Sequence, residues 1–597
     1  MLRKPLASIV VLVLLMPQAA FGADLSPERW TPAEKALAEQ RELKPWPPEA
    51  KTIEGKSGLV AGTMSPIAVL AGMEALRQGG TAADAAATVA LTQITAALGS
   101  YVSYAGILEL VYYDAKSGKV SSLNAGWNSY LGETDPKSIP VDDLGALAFG
   151  LEPTEGAEGR KTLVPGFMAG IEAMHKRFGK LPFPELFTPA IWYAEHGVAI
   201  SPTTATFFKS REKYLSRTAE GRAFMNQAGD GLPKAGDQFV QADLAKTLRA
   251  VANNGSRYMY TGPWGQHYVE AVQREGGKAT MEDMKRYRPF WEEPLSTTFL
   301  GHTVYVPGMS SNDGHQLLES LNLAEELKLD QAGPYNKDPK AFQLLTRIVR
   351  KAVADNYTAQ YMSEHGMKSS REDSITKAYA KNAASLFAAQ KPVPVPAPQP
   401  APPHHSDAVV VIDRWGNVAA LVHTIHTLLW GTTGIVVDGI PIADAAGFQQ
   451  ARLTGVKPGG PVPIDMTPVI AMTGNKPSLA LASIGESLGP ETVRLMVTIL
   501  ANHLDPLVAM AAPPMLMNAR PLKEGETFMT VPGAIPEGAY DPAFLQLLQD
   551  AGVRVEQKPK QEAYAIKGTA VLATIDAQSG TLQSVETPGI FGFAAAY

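Results

Sequence analysis

The run AAQKPVPVPAPQPAPP over residues 388–403 constrains this chain more than any other feature. Proline has no N–H for a hydrogen-bond ladder and holds φ fixed, so neither a helix nor a central strand crosses such a run, and an extended, solvated tether is expected from about 388 to 405. Taken alone, a tether of this composition joins two domains. The residues after the tether point elsewhere. Ala408 to Ile412 is a strongly apolar strand, Asp413-Arg-Trp-Gly-Asn417 a turn and Val418 to Thr427 a second strand, so a hairpin with a buried face begins at once. The hydroxyl of Ser406 stands at its mouth, and strand alternation sets Thr424 and His426 on one face of the second strand.

The chain around this junction is long enough, at 597 residues and 45% hydrophobic, to bury a large core. A net charge of −6 and the absence of any Lys/Arg-rich run exclude nucleic acid and anionic membrane as default partners and leave a small-molecule or peptide substrate. Arg3 and Lys4 before the apolar run Ile9 to Met16, with small residues from Ala19 to Ala23, read as a secretory signal over 1–23. That run is too short to span a bilayer, so export to a bacterial periplasm is expected, with no stable membrane span. Cysteine is absent, which removes disulfides, thiolate metal sites and thiol nucleophiles.

Residues 24–51 are charged and Pro-rich and read as a lead-in segment. Helices are predicted over Ile67 to Gln78, opened by Pro66 and stopped by Gly79-Gly80, and over the Ala-rich Thr81 to Ala97. Leu108 to Tyr113 and Lys119 to Leu123 form an antiparallel hairpin across the turn Asp114 to Gly118. Further helices are expected at Phe167 to Phe178, Pro184 to His196, Gln241 to Asn254, Gln316 to Leu327 and Phe342 to Met362, with a strand over Leu300 to Val306.

Five segments in order, AVLAGMEALRQGGTAADAAATVAL, LVPGFMAGIEAMHKRFGKLPFPELFTPAIWYAEHGVAIS, GDQFVQADLAKTLRAV, YRPFWEEPLSTTFLGHTVYVPGMSSNDG and VVVIDRWGNVAALVHTIHT, resemble the γ-glutamyltransferase family, a branch of the N-terminal-nucleophile hydrolases. The resemblance covers nearly all of the chain after the signal. It implies an α+β fold, the four-layer αββα sandwich, and a precursor cut between His405 and Ser406 into a large fragment, 24–405, and a small fragment, 406–597, that stay associated. It also implies that the freed Ser406 is the nucleophile and its own α-amine the base. An α-amine with a pKa near ~7.7 to 8.0 is partly neutral at working pH and needs no tuning by burial.

Aligned on VVVIDRWGN, Ser406, Asp407 and Ala408 occupy the place of the family's Thr-Thr-His. Thr424 falls at a second threonine that hydrogen-bonds the nucleophile, and Gly485-Glu486 at a Gly-Gly turn whose N–H groups form the oxyanion hole, donors worth about 3 kcal/mol of barrier. The substrate-binding positions depart further. Asn124-Ala-Gly126-Trp127 carries no counterpart of the arginine that clamps a glutamyl α-carboxylate, Ile442-Ala-Asp444 replaces the motif that reads the α-amine, Ile464-Asp465-Met466 replaces Ser-Ser-Met, and His426 replaces an asparagine. A lost bidentate arginine removes about 1.5 to 3 kcal/mol of charge-assisted binding, which speaks against efficient γ-glutamyl transfer. The carboxylates Asp444, Asp465 and Glu486 near a pocket without its cation point to a neutral or amine-bearing acyl group, or to D- or N-modified peptides.

The chain is thus expected to be an autoprocessed amide hydrolase or acyltransferase. Two other readings stay open: a silent relative that only binds, and a glutathione γ-glutamyltransferase whose arginine comes from elsewhere, with Arg160 the candidate. No cofactor and no metal are expected, since His423 and His426 point to opposite faces of their strand and His404-His405 sit on the tether.

Overall fold

The strand that follows the tether, Ser406–Ile412, is buried along its whole length, and so is its partner Val418–Thr424. Apolar runs without polar alternation need cover on both faces, and the fold supplies it. The computed structural model describes residues 22–44, 49–142, 154, 156–229, 231–364, 371–388, 406–485, 488–515, 531–560, 568–587 and 592–597. The apolar run of the signal, tether residues 389–405 with His405, and Glu486 lie outside the described residues.

Two seven-stranded sheets stack face to face. The strands are β1 (Lys51–Gly55), β2 (Leu59–Thr63), β3 (Ile107–Asp114), β4 (Lys119–Ala125), β5 (Phe290–Glu292), β6 (Leu295–Phe299) and β7 (His302–Val306) before the tether. After it come β8 (Ser406–Ile412), β9 (Val418–Thr424), β10 (Val469–Thr473), β11 (Lys476–Ile484), β12 (Thr569–Ile575), β13 (Leu582–Glu586) and β14 (Gly592–Ala596). The first sheet runs β14-β2-β8-β9-β3-β4-β5 and the second β1-β13-β12-β11-β10-β7-β6. The central pairing of β8 with β9 is antiparallel and sets Ser406 opposite Thr424 and Asp407 opposite His423.

Alternate residues of the central strands serve different layers. Val409, Val411, Ala419 and Leu421 pack under the helices α2 (Pro66–Arg77), α3 (Ala82–Ala96) and α4 (Phe167–Phe178). Ala408, Val410, Ala420 and Val422 face the second sheet and meet Ile470, Ala480 and Ala482. On the far side of that sheet Val469, Leu481 and Leu572 take Leu317 and Leu321 of α5 (Asp313–Glu326) and Ile348 of α6 (Pro339–Glu364). Helix, sheet, sheet and helix give the four-layer αββα sandwich.

Local signals place the inner helices as predicted: Ser65 accepts the Ala68 N–H at the start of α2 with Pro66 in its first turn, and Thr81 and Asp84 close a capping box on α3. Three expectations need correction. The lead-in is not unstructured, because Pro32–Glu42 is a helix capped by Thr31 and the Glu42 carboxylate accepts Ser65 Oγ and the Ile67 N–H at the mouth of α2. The strand expected over Leu300 to Val306 begins at His302, since Leu300 and Gly301 both take positive φ and form the two-residue turn of a hairpin with β6. The second strand of the central hairpin stops at Thr424, not Thr427. The Ile425 N–H turns to the Tyr101 carbonyl, and His426 takes the left-handed conformation at φ 56°, which leads the chain out of the ladder.

Candidate active site

Ser406 and Thr424 close the same end of β8 and β9, on the face turned toward the second sheet. Ser406 Oγ donates to Thr424 Oγ1 at 3.0 Å. The same Thr424 oxygen accepts the His426 N–H at 2.9 Å, so one threonine holds both the serine and the backbone bend behind it. His426 therefore reaches the site by that bend rather than by strand alternation. Its Nδ1 lies 3.0 Å from Gln449 Nε2 and its Nε2 3.6 Å from Asp465 Oδ2.

Asp465 is the hub of the next layer. Its Oδ1 accepts Asn312 Nδ2 at 2.8 Å, and its Oδ2 is ion-paired with Arg452. Burial pushes its carboxyl up, but Arg452 and then His426 and Asn312 outweigh burial and hold it well below the usual carboxylate range. The expected pocket without a cation is thus corrected: Asp465 has its own arginine, from the turn of helix Gln450–Leu453. Arg452 was not foreseen, because nothing in the spacing of QQARL tells which way a four-residue helix faces. A second cation, Arg371, donates to the Ser311 carbonyl at 3.0 Å and lies 3.2 Å from His315 Nδ1. Asp313 and Glu109, the other acids of this layer, are raised by burial, Asp313 to about 8, which favours their protonated forms.

The remaining candidates divide. Met466 is buried, and its carbonyl accepts Ser311 Oγ at 2.9 Å. Asp444 is not an open pocket carboxylate: its Oδ2 is taken by the Thr432 N–H and hydroxyl at 2.7 and 2.6 Å. Gly126 lies against Ile464, and a Cβ on it would stand 3.0 Å from Ile464 Cγ2 and 2.9 Å from Asn124 Oδ1. A side chain at Gly126 would therefore have to displace Asn124 and Ile464. Arg160 does not fill the gap, since its guanidinium is held by Glu133 at 2.8 and 3.0 Å and by the carbonyls of Asp135 and Ser138. Gly485 follows β11, which packs across the sandwich from the hairpin, at φ 95° and with Gly568 Cα 2.7 Å from where a Cβ would be. Both the backbone conformation and the contact require glycine there. Among the described residues no group of three or more histidine, aspartate or glutamate side chains is placed to hold a metal ion, and no helix is long and apolar enough to cross a membrane.

The opposite face of the same two strands carries a sealed polar layer that sequence reading did not weigh. Asp407 accepts Thr63 Oγ1 at 2.8 Å, Thr63 passes its carbonyl to Gln93 Nε2 at 2.7 Å, and Gln93 Oε1 meets His423 Nε2 at 2.9 Å. Burial raises the Asp407 carboxyl and lowers His423 to about 3, so both are neutral.

The family model for gamma-glutamyltranspeptidase matches residues 68–581. The chain is 29% identical to a glutathione hydrolase proenzyme of Pseudomonas aeruginosa, over 69% of this chain and 74% of that protein. It is 25% identical to the acylase ACY 1 proenzyme of Pseudomonas sp. strain SE83, over 86% of this chain and 89% of that protein. Among solved structures, a cephalosporin acylase from Bacillus halodurans superposes with a TM-score of 0.74 at 22% identity, covering 93% of this chain and 98% of that one.

Proposed function

Starting from a chain that belongs to the gamma-glutamyltranspeptidase family, and is an amide hydrolase or acyltransferase of it, we propose that Ser406 is the nucleophile and that it is freed by self-cleavage after His405. The observation that carries this is the hydrogen bond from Ser406 Oγ to Thr424 Oγ1, at the first residue of a central strand and directly after the tether.

In the processing step Ser406 Oγ attacks the His405 carbonyl carbon, its proton goes to the departing nitrogen, and the C–N bond breaks as the ester forms. Water then splits the ester, leaving a carboxylate on His405 and an α-amine on Ser406. In the catalytic cycle that amine takes the Oγ proton as the hydroxyl attacks a substrate amide, and returns it to the leaving amine. Thr424 fixes the direction of attack. The backbone N–H groups of Gly485 and Glu486 serve as the donors for the oxyanion. Water or an amine then takes the acyl group from Ser406. Large and small fragments remain one body, because β8 and β9 lie between β2 and β3. The basic and apolar N-terminus supports export to the periplasm.

The acyl group is not a γ-glutamyl group held by its α-carboxylate. Ile464 closes the space beside Gly126, and Arg160 is engaged by Glu133. The acylase relative points the same way. Intact mass and N-terminal sequencing of the purified protein test the reading: a small fragment beginning at Ser406, absent in Ser406→Ala, is expected, and a wild-type chain that stays whole or is cut elsewhere overturns it.

A further inference from the structure

The layer behind Ser406 is built around a paired charge, and that pairing bears on the substrate. From Ser406 Oγ the contacts run through Thr424 Oγ1 to the His426 backbone, and from the His426 imidazole to Asp465. His426, Asp465 and Arg452 keep 6%, 18% and 13% of their side chains accessible, so the layer is reachable rather than sealed. We propose that the Arg452–Asp465 ion pair sets the charge of the acyl group this site accepts and selects an uncharged one. This rests on Ser406 being the nucleophile of an amide hydrolase.

The groups facing Asp465 are Arg452, His426 and Asn312, with Asp313, Glu109 and Arg371 beyond them. Burial favours the protonated, uncharged forms of Asp313 and Glu109. At the contact itself one anion and one cation satisfy each other, while Arg371, a further cation, has the neutral Ser311 carbonyl and His315 as its partners. A carboxylate on the acyl group would have to displace Asp465 from Arg452, and an ammonium would have to displace Arg452 from Asp465. Either leaves a charge unpaired where little water reaches it, which is costly. An uncharged acyl chain disturbs neither partner. The pair takes over the role of a charge filter from a segment, Asn124 to Trp127, that carries no arginine.

The test uses the processed enzyme and three p-nitroanilides of similar length, butyryl, glutaryl and 4-aminobutyryl, with intact mass confirming cleavage in every variant. Wild type is expected to favour butyryl by about tenfold or more in kcat/KM. Asp465→Asn frees Arg452 and is expected to raise the glutaryl-to-butyryl ratio about tenfold. Arg452→Met frees Asp465 and is expected to raise the 4-aminobutyryl-to-butyryl ratio by a similar factor, about tenfold. The double variant is expected to return both ratios to within about threefold of wild type, because uncoupled charges are gone and shape is kept. A wild type that prefers a charged donor, or single variants that lose all three donors in proportion, overturns the filter while leaving the amidase reading intact. If the processed wild type cleaves none, thermal shift with butyramide, glutaramate and 4-aminobutyramide decides. Stabilisation by butyramide alone supports the filter and shows that these anilides are not turned over, whereas a preference for a charged amide, or no response to any, overturns the filter.

Discussion

The hairpin of β8 and β9 presents two polar layers that differ in almost every physical respect though they are built from neighbouring residues. On the helix side Asp407, Thr63, Gln93 and His423 are buried to within a few per cent and linked by hydrogen bonds, and burial keeps both titratable members neutral. On the sheet side Ser406 and Thr424 lead to His426, Asp465 and Arg452, where charge survives because it is paired and partly reachable by solvent. A sealed layer with no opposite charge to pair keeps its titratable groups neutral; a layer that supplies the counter-charge can keep ions in balance. On the proposed reading chemistry belongs to the second, and the first supports the strand end from which it would be done.

Four experiments break or sharpen that contrast. The largest effect is expected at the nucleophile: Ser406→Ala should lose at least about 10⁴-fold in amide hydrolysis and remain unprocessed, whereas Ser406→Thr keeps measurable rates, as followed by anilide release and gel. Next, Thr424→Val removes the hydroxyl at constant shape and should lower kcat/KM about 10- to 100-fold, while Thr424→Ser stays within a few-fold; equal rates for Val and Ser would remove Thr424 from the site.

On the sealed face the readout moves from rate to stability. Asp407→Ala strands the Thr63 hydroxyl and should cost about 1 to 3 kcal/mol in denaturant melts, with Asp407→Asn costing clearly less. A larger change in turnover per processed enzyme than in stability would mean that the two faces are not divided as described.

The smallest effect concerns Asp313, raised by burial from 3.8 to about 8. The native state keeps a proton that the unfolded chain gives up, so the stability this carboxyl contributes is whole below pH 3.8 and is lost as pH rises toward 8. Asp313→Asn should therefore match wild type at pH 4 and melt roughly 1 to 2 °C higher at pH 8. A constant difference across that window would place the shift elsewhere.

Much of the framework was legible because it depends on local rules. Pro66 and Ser65 mark the start of α2 and Thr81 the start of α3, and the apolar runs of β8 and β9 announce strands covered on both sides. Position in the family pattern singled out Ser406 and Thr424, which the register sets opposite each other. The misses share a cause. Leu300-Gly301 is a turn with a leucine at positive φ, for which no sequence signal is strong. Asp444 and Asp465 have the same side chain and similar surroundings in the sequence, yet one is spent on the Thr432 loop and the other is paired with Arg452.

Sequence by itself determined where the chain changes character, at the tether and the hairpin behind it, which residue types stand at the mouth, a hydroxyl and a second hydroxyl 18 residues later, and, after a strand of the other sheet, a glycine that tolerates φ 95°. These features rest on proline's missing donor, strand periodicity and glycine's missing Cβ, all read along the chain. Tertiary structure alone decided the charge of the pocket. Arg452 meets Asp465, and Arg160 meets Glu133, only once the loops between them have folded back, and a side chain's pairing depends on that three-dimensional neighbourhood rather than on its identity.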